Sequence, residues 1–384
     1  MTEKLYNANS YLEQFSATVL ECQLQGSHYQ LVLDRTAFFP EGGGQRADVG
    51  KIDEYMVLDV HEKEGIIFHE IEQSLPVGAK VQGILTWKER FSKMQQHSGE
   101  HIVSGLIHQT YGYDNVGFHL GTDAVTMDFN GTITKEQLEQ IEYRANEAVI
   151  KNIEIDVAYP SKEQLKDMEY RSKIEIDGQV RIVTILGYDC CACCAPHVRR
   201  TGEIGCIKFV GMQHYKGGIR VSMLCGFRAL EDYRRKEQSV KEISVALSAK
   251  EEEIAEAVIR LKEETNRWKQ EFLKEQNQRL QYKVNEIQEK EEITCFFEEQ
   301  LEGNGPRELV NLALQKGATV CAVFAGEDCS GYRYVIGSRI QDIRPLSQRL
   351  NARFQGRGGG KAEMVQGSIV GTEKEIREEL EKSK

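Results

Sequence analysis

His97-Ser98-Gly99-Glu100-His101 is the stretch that decides how this chain reads. It lies in a run from Glu89 to Thr110 where Phe91, Met94, Ile102, Val103, Leu106 and Ile107 recur at helical spacing. Two histidines four apart share one face of a helix, so two imidazoles can reach a single metal ion. Gly99 costs such a helix about 1 kcal/mol relative to alanine, which points to close packing there. Far along the chain, Cys190-Cys191-Ala192-Cys193-Cys194-Ala195-Pro196-His197 offers thiolates beside a third imidazole. Cys193-x3-His197 completes a set with His97 and His101, the mixed nitrogen and sulfur ligation that zinc takes in tetrahedral geometry. Cys190-x2-Cys193 and Cys191-x2-Cys194 are also ligand-type pairs, and Cys194-x2-His197 competes with the first choice, so spacing alone leaves the thiolate open.

Composition narrows the class. With 384 residues, 40% hydrophobic and 28% charged, the chain suits a soluble protein of about two to four domains. No apolar run approaches a membrane span, and the start carries no basic segment followed by an apolar core, so neither a membrane nor a signal peptide is expected. Ten cysteines, crowded around 190–194, suit metal or thiol chemistry in a reducing cytoplasm better than a disulfide framework. A net charge of −11 speaks against nucleic acid, but Tyr332 to Lys361 reverses it. Arg333, Arg339, Arg344, Arg349, Arg353, Arg357 and Lys361 face only Asp342 there, a basic patch of the kind that meets phosphates.

The pattern predicts an α+β multidomain fold in four parts. Residues 1–87 alternate (Tyr29-Gln-Leu-Val-Leu-Asp, then Val57-Leu-Asp-Val-His) between glycine and proline punctuation, the mark of a small β-barrel. Residues 88–228 form a central α/β domain with the zinc site, including a helix from Thr134 to Lys151 opened by a capping box. Residues 229–292 repeat Val240, Leu247, Ile254, Leu261 and Trp268 every seven positions, then Leu273, Leu280 and Ile287 out of phase. Ser248-Ala-Lys-Glu251 reads as a capping box between the two phases, which predicts a helical hairpin stalk and a homodimer through it. Residues 293–384 form a small α/β domain.

Together with Thr201-Gly-Glu-Ile-Gly205 behind them, the paired clusters resemble the editing domain of alanyl-tRNA synthetases and of their free-standing AlaX relatives. Leu33 to Gln45, with Glu41-Gly-Gly-Gly-Gln45, is similar to that family's glycine motif, and Gly356-Arg-Gly-Gly-Gly-Lys361 with Met364-Val-Gln-Gly367 to its carboxy-terminal DHHA1 domain. The resemblance covers nearly the whole chain and fits the long form, AlaX-L. It implies deacylation in trans of tRNA(Ala) mischarged with serine or glycine, by a chain that starts at its β domain with no ligase site ahead. It implies one zinc per chain on His97, His101, Cys193 and His197, the choice of Cys193 following the family spacing. His97, His101 and Glu100 become catalytic candidates, and Thr36, Gln45, Asn115 and His119 substrate-binding ones. Arg353, Arg357, Gly358, Gly359 and Lys361 become tRNA-binding candidates. Where the family has small residues after its ligand cysteine, this chain has Cys194-Ala-Pro.

Two other classes compete. His97-Ser-Gly-Glu100-His101 also spells the inverted zinc-protease motif, with Glu100 as general base, but leaves Cys193 and His197 without a role. A non-enzymatic RNA-binding or redox-sensing module, its zinc closed by cysteine, would keep them.

Overall fold

Period-two burial builds the first part of the chain. In Ile66–Ile71 and Lys80–Leu85 every second side chain turns inward, as a strand with one wet face requires. Six antiparallel strands pair in a ring: Gln14–Gln25, His28–Leu33, Ile66–Ile71, Tyr55–Lys63, Gly50–Ile52, Lys80–Leu85, and back to the first. Leu31, Leu33, Phe38, Ile52, Ile67 and Ile71 fill one core there, and Ala195 of the cysteine loop joins it. This computed structural model describes residues 1–172, 178–285, 292–301 and 303–382. They form two units, Met1–Lys241 and Glu242–Lys384.

The His97 helix runs Trp87–Tyr111 and ends on left-handed Gly112, whose N–H bonds to the His108 carbonyl. It is no surface helix: every residue from Lys93 to Ile107 is buried. Two glycines permit that. A Cβ at Gly99 would overlap the Cys225 sulfur, and one at Gly105 the Tyr188 carbonyl. The sheet Ile207–Tyr215, Gly218–Cys225, Val125–Phe129, Asn115–Leu120 contributes one side of this packing. Helix Lys135–Lys151 contributes another, opened by Thr134 in a complete capping box with Gln137. A second sheet, Ile155–Ala158, Ile182–Ile185, Asp189–Ala192, ends where Cys193 begins.

The heptad region folds as helices Gly226–Leu247 and Ile254–Asn285, but the capping box predicted at Ser248 does not form. Ser248 adopts φ 50° after the first helix, and the next turn, Glu251–Glu253, starts at Lys250 without a side-chain cap. A residue that terminates one helix in left-handed backbone cannot also open the next in extended backbone. Val258, Leu261, Trp268 and Phe272 are exposed. Ile287 lies outside the described residues.

In the second unit a five-stranded sheet runs Ile293–Glu298, Val320–Glu327, Gly331–Ser338, Met364–Ile369, Arg357–Lys361. The first pair is parallel and the rest antiparallel. The glycine-rich strand Arg357–Lys361 is its edge, exposed at all five residues. Among the described residues no helix is long and apolar enough to cross a membrane.

Candidate metal centre

Helix Trp87–Tyr111 supplies two imidazoles from consecutive turns, and the loop after Asp189–Ala192 brings Cys193 and His197 against them. One ligand atom from each of His97, His101, Cys193 and His197 lies within 4.8 Å of the other three. The Cys193 sulfur is 3.5 Å from His97 Nε2 and 3.4 Å from His197 Nε2. A tetrahedral zinc with ordinary bond lengths needs sulfur–nitrogen edges of about 3.6 Å, so this donor set fits a metal of that kind. Four protein donors also close a tetrahedral shell.

Each histidine is held from behind by its other nitrogen. His97 Nδ1 lies 3.1 Å from Gln45 Oε1, His197 Nδ1 lies 3.0 Å from Ser98 Oγ, and His101 Nδ1 lies 2.9 Å from Asp189 Oδ2. Gln45 and Ser98 meet their rings at hydrogen-bond distance, while Asp189 meets His101 as an ion pair without hydrogen-bond alignment, an outer set of the kind that orients metal-bound imidazoles.

The charges agree. Burial opposes ionisation of Cys193, but His97, His197 and His101 outweigh it and hold the thiol well below its ordinary value. Burial pushes His197 down to about 3. Burial also opposes a charge on His101, yet Asp189 and Cys193 raise it above its usual value. Without metal, the proton between Cys193 and His101 thus rests on His101, and ligation displaces it. Cys194 stays outside the set, its thiol pushed up by desolvation and by Cys193.

A second cluster, His101, Asp189 and Cys191, is also compact. Arg171 already occupies it, with Nε 2.7 Å from Asp189 Oδ1 and Nη2 3.0 Å from Oδ2. Burial keeps the Cys191 thiol up at about 11 against the opposing pull of His101 and Arg171. A buried guanidinium disfavours a further cation there, so this group supports the first.

The other candidates divide. Gln45 joins the centre through His97, and its buried Nε2 has no hydrogen-bond partner among the described residues. Glu100 is buried with Oε2 4.0 Å from His101 Nε2. Its Oε1 accepts from Ser104 Oγ at 2.7 Å and Asn115 Nδ2 at 2.6 Å. Asn115 therefore holds Glu100 with its amide nitrogen, its side-chain carbonyl being taken by Gly117 N–H, while it also lines a cleft with Gly105, Arg171 and Asp189. His119 is exposed on its strand and has no place in the cluster. Thr36 is spent on the ring core: it donates to His69 Nε2 at 2.8 Å and accepts from Phe38 N–H. Arg353 closes its helix, and Arg357, Gly358, Gly359 and Lys361 line the exposed sheet edge. Sequence reasoning missed Asp189, beside the cysteine cluster, and Ser98, between the two histidines; Arg171 carried no signal.

Comparison with known proteins gives the class. Residues 8–89 match the model for class II (A) tRNA synthetases, and residues 180–262 the second additional domain of threonyl and alanyl tRNA synthetases. The Cys193–His197 half of the centre falls in the second match, and His97 and His101 in neither. The chain is 32% identical over 240 residues to the alanyl-tRNA editing protein AlaX-L of Pyrococcus horikoshii, covering 60% of this chain and 59% of that protein. It is 26% identical to the rat alanyl-tRNA editing protein Aarsd1 over 95% of this chain and 94% of that one. An alanine–tRNA ligase of Methanococcus maripaludis is 27% identical over 99% of the chain, which spans 43% of the ligase. The chain thus spans less than two thirds of the first curated relatives it matches. Within the synthetase-like class it resembles the AlaX family of alanyl-tRNA editing proteins.

Proposed function

We infer that this protein hydrolyses the ester of tRNA(Ala) mischarged with serine, or with glycine. The carrying observation is the convergence of three Nε2 atoms and the Cys193 thiolate beside an unpartnered Gln45 amide and the Glu100 carboxylate. The names of the two editing relatives supply the substrate class. Zinc, one per chain on His97, His101, Cys193 and His197, would act as a Lewis acid on the ester carbonyl or the attacking water once one ligand yields or the shell expands to five. Gln45 offers Nε2 to the oxygen that gains charge in the transition state and is the selectivity candidate this geometry favours. Glu100, steadied by Ser104 and Asn115, takes the proton of the water at Oε2 and returns it to the leaving ribose oxygen.

Domains 1–87 and 88–228 carry the chemistry in this reading, and 293–384 binds tRNA. Arg353, Arg357 and Lys361 neutralise phosphates, while Gly358 and Gly359 let the edge strand come close. The exposed Val258, Leu261, Trp268 and Phe272 stripe suits a second copy of the chain along the stalk at 229–292, in a cytoplasmic homodimer. Deacylation of Ser-, Gly- and Ala-tRNA(Ala), with and without a chelator, is the test. Loss of Ser- or Gly-tRNA(Ala) turnover on chelation, with Ala-tRNA(Ala) spared, supports the reading. The closed four-donor shell favours one rival, a zinc-stabilised RNA-binding module; a zinc-loaded protein that turns over none of the three would establish it.

A further inference from the structure

Arg171 lies far from the two ligand motifs in sequence, yet it is built into the centre. Its backbone docks on strand Asp189–Ala192: Arg171 N–H donates to the Cys190 carbonyl at 2.8 Å, and Ala192 N–H to the Arg171 carbonyl at 2.9 Å. Its guanidinium meets both oxygens of Asp189, at 2.7 and 3.0 Å. That carboxylate is 1% exposed, and its Oδ2 stands 2.9 Å from His101 Nδ1. Two parallel N–H donors fix the plane of a carboxylate, where a single ammonium fixes only its distance. The plane of Asp189 sets where its Oδ2 stands in ion-pair contact with Nδ1, and hence bears on the direction of Nε2 on the opposite edge of the ring.

We propose that Arg171 is a positioning residue for metal binding, acting through Asp189 to aim His101 Nε2 at the centre. The proposal rests on the metal reading above. His97 and His197 have one neutral acceptor each behind them, Gln45 and Ser98. His101 alone among the three is backed by a charged pair, so its orientation depends on a residue outside both ligand motifs. Gly105 permits this arrangement, since a side chain there would run into Tyr188 and Asp189.

The test is zinc affinity of the full chain by chelator competition at one pH, in wild type, Arg171→Met, Arg171→Lys and the surface control Arg144→Met. Loss of an outer partner of this kind weakens metal binding about 10- to 100-fold. Arg171→Met should fall in that range. Arg171→Lys keeps the charge and loses the fork, so it should recover only part of the loss. Arg144→Met should match wild type. In cobalt-loaded protein, the visible ligand-field band should shift or weaken in both Arg171 variants, which a general loss of stability would not produce. Wild-type affinity in Arg171→Lys, with an unchanged cobalt spectrum, overturns the proposal even if Arg171→Met fails to fold. A wild type that binds no zinc overturns the metal reading itself, a separate result.

Discussion

His69 gives the sharpest test of the buried ring and of the role of Thr36. It is fully buried, and burial pushes its pKa from 6.5 down to about 4. It is therefore neutral at pH 7, with Nδ1 facing the Leu31 carbonyl at 3.2 Å and Nε2 accepting the Thr36 proton. The folded pKa lies below the unfolded one, so the unfolded chain takes a proton first as pH falls. Stability is complete above about pH 6.5 and is lost progressively toward pH 4. At pH 5 the loss from this one group is about 2 kcal/mol. His69→Gln keeps a donor and an acceptor but cannot titrate in this range. Urea unfolding of chelator-treated protein would be followed by Trp87 emission in a Trp268→Phe background, at pH 7 and pH 5. The His69→Gln protein should lose about 2 kcal/mol less than its parent between the two. Equal losses would show that His69 is not buried neutral, and Thr36 would return as a free hydroxyl for substrate selection.

Cys193→Ser should strip bound zinc and deacylation together, while Cys194→Ser keeps both; the reverse pattern in metal analysis would move the ligand by one position. Asn115→Ala should slow Ser-tRNA(Ala) deacylation by about 10- to 100-fold with zinc retained, since it loosens the candidate base Glu100, whereas His119→Ala should leave the rate unchanged. Replacing Arg353, Arg357 and Lys361 together should weaken tRNA binding and flatten its salt dependence by about 0.7–0.9 in log–log slope for each phosphate no longer neutralised. An unchanged slope would take tRNA binding away from the sheet edge.

What the sequence determined by itself is local and periodic. Two histidines at helical spacing place themselves on one face, and Thr134 with Gln137 starts a helix wherever the chain lies, because each depends only on residues a turn apart. Alternation was enough to expect β structure in 1–87, and the basic run from Arg333 to Lys361 was legible as charge. The same local reasoning failed at Ser248, where the end of the preceding helix decided the backbone.

Tertiary structure alone chose among residues that spacing left equivalent. Cys193 and Cys194 are neighbours in sequence, yet the loop after Asp189–Ala192 turns one sulfur toward three imidazoles and the other away. Asn115 and Thr36, both plausible pocket residues, are committed to Glu100 and to His69 by hydrogen bonds across 15 and 33 positions. Arg171 reaches Asp189 and through it His101 only because a backbone bridge lays its segment along that strand. Such roles depend on where a side chain finds its partner once the chain is packed, and a buried polar group must find one. No pattern in the linear sequence encodes that choice.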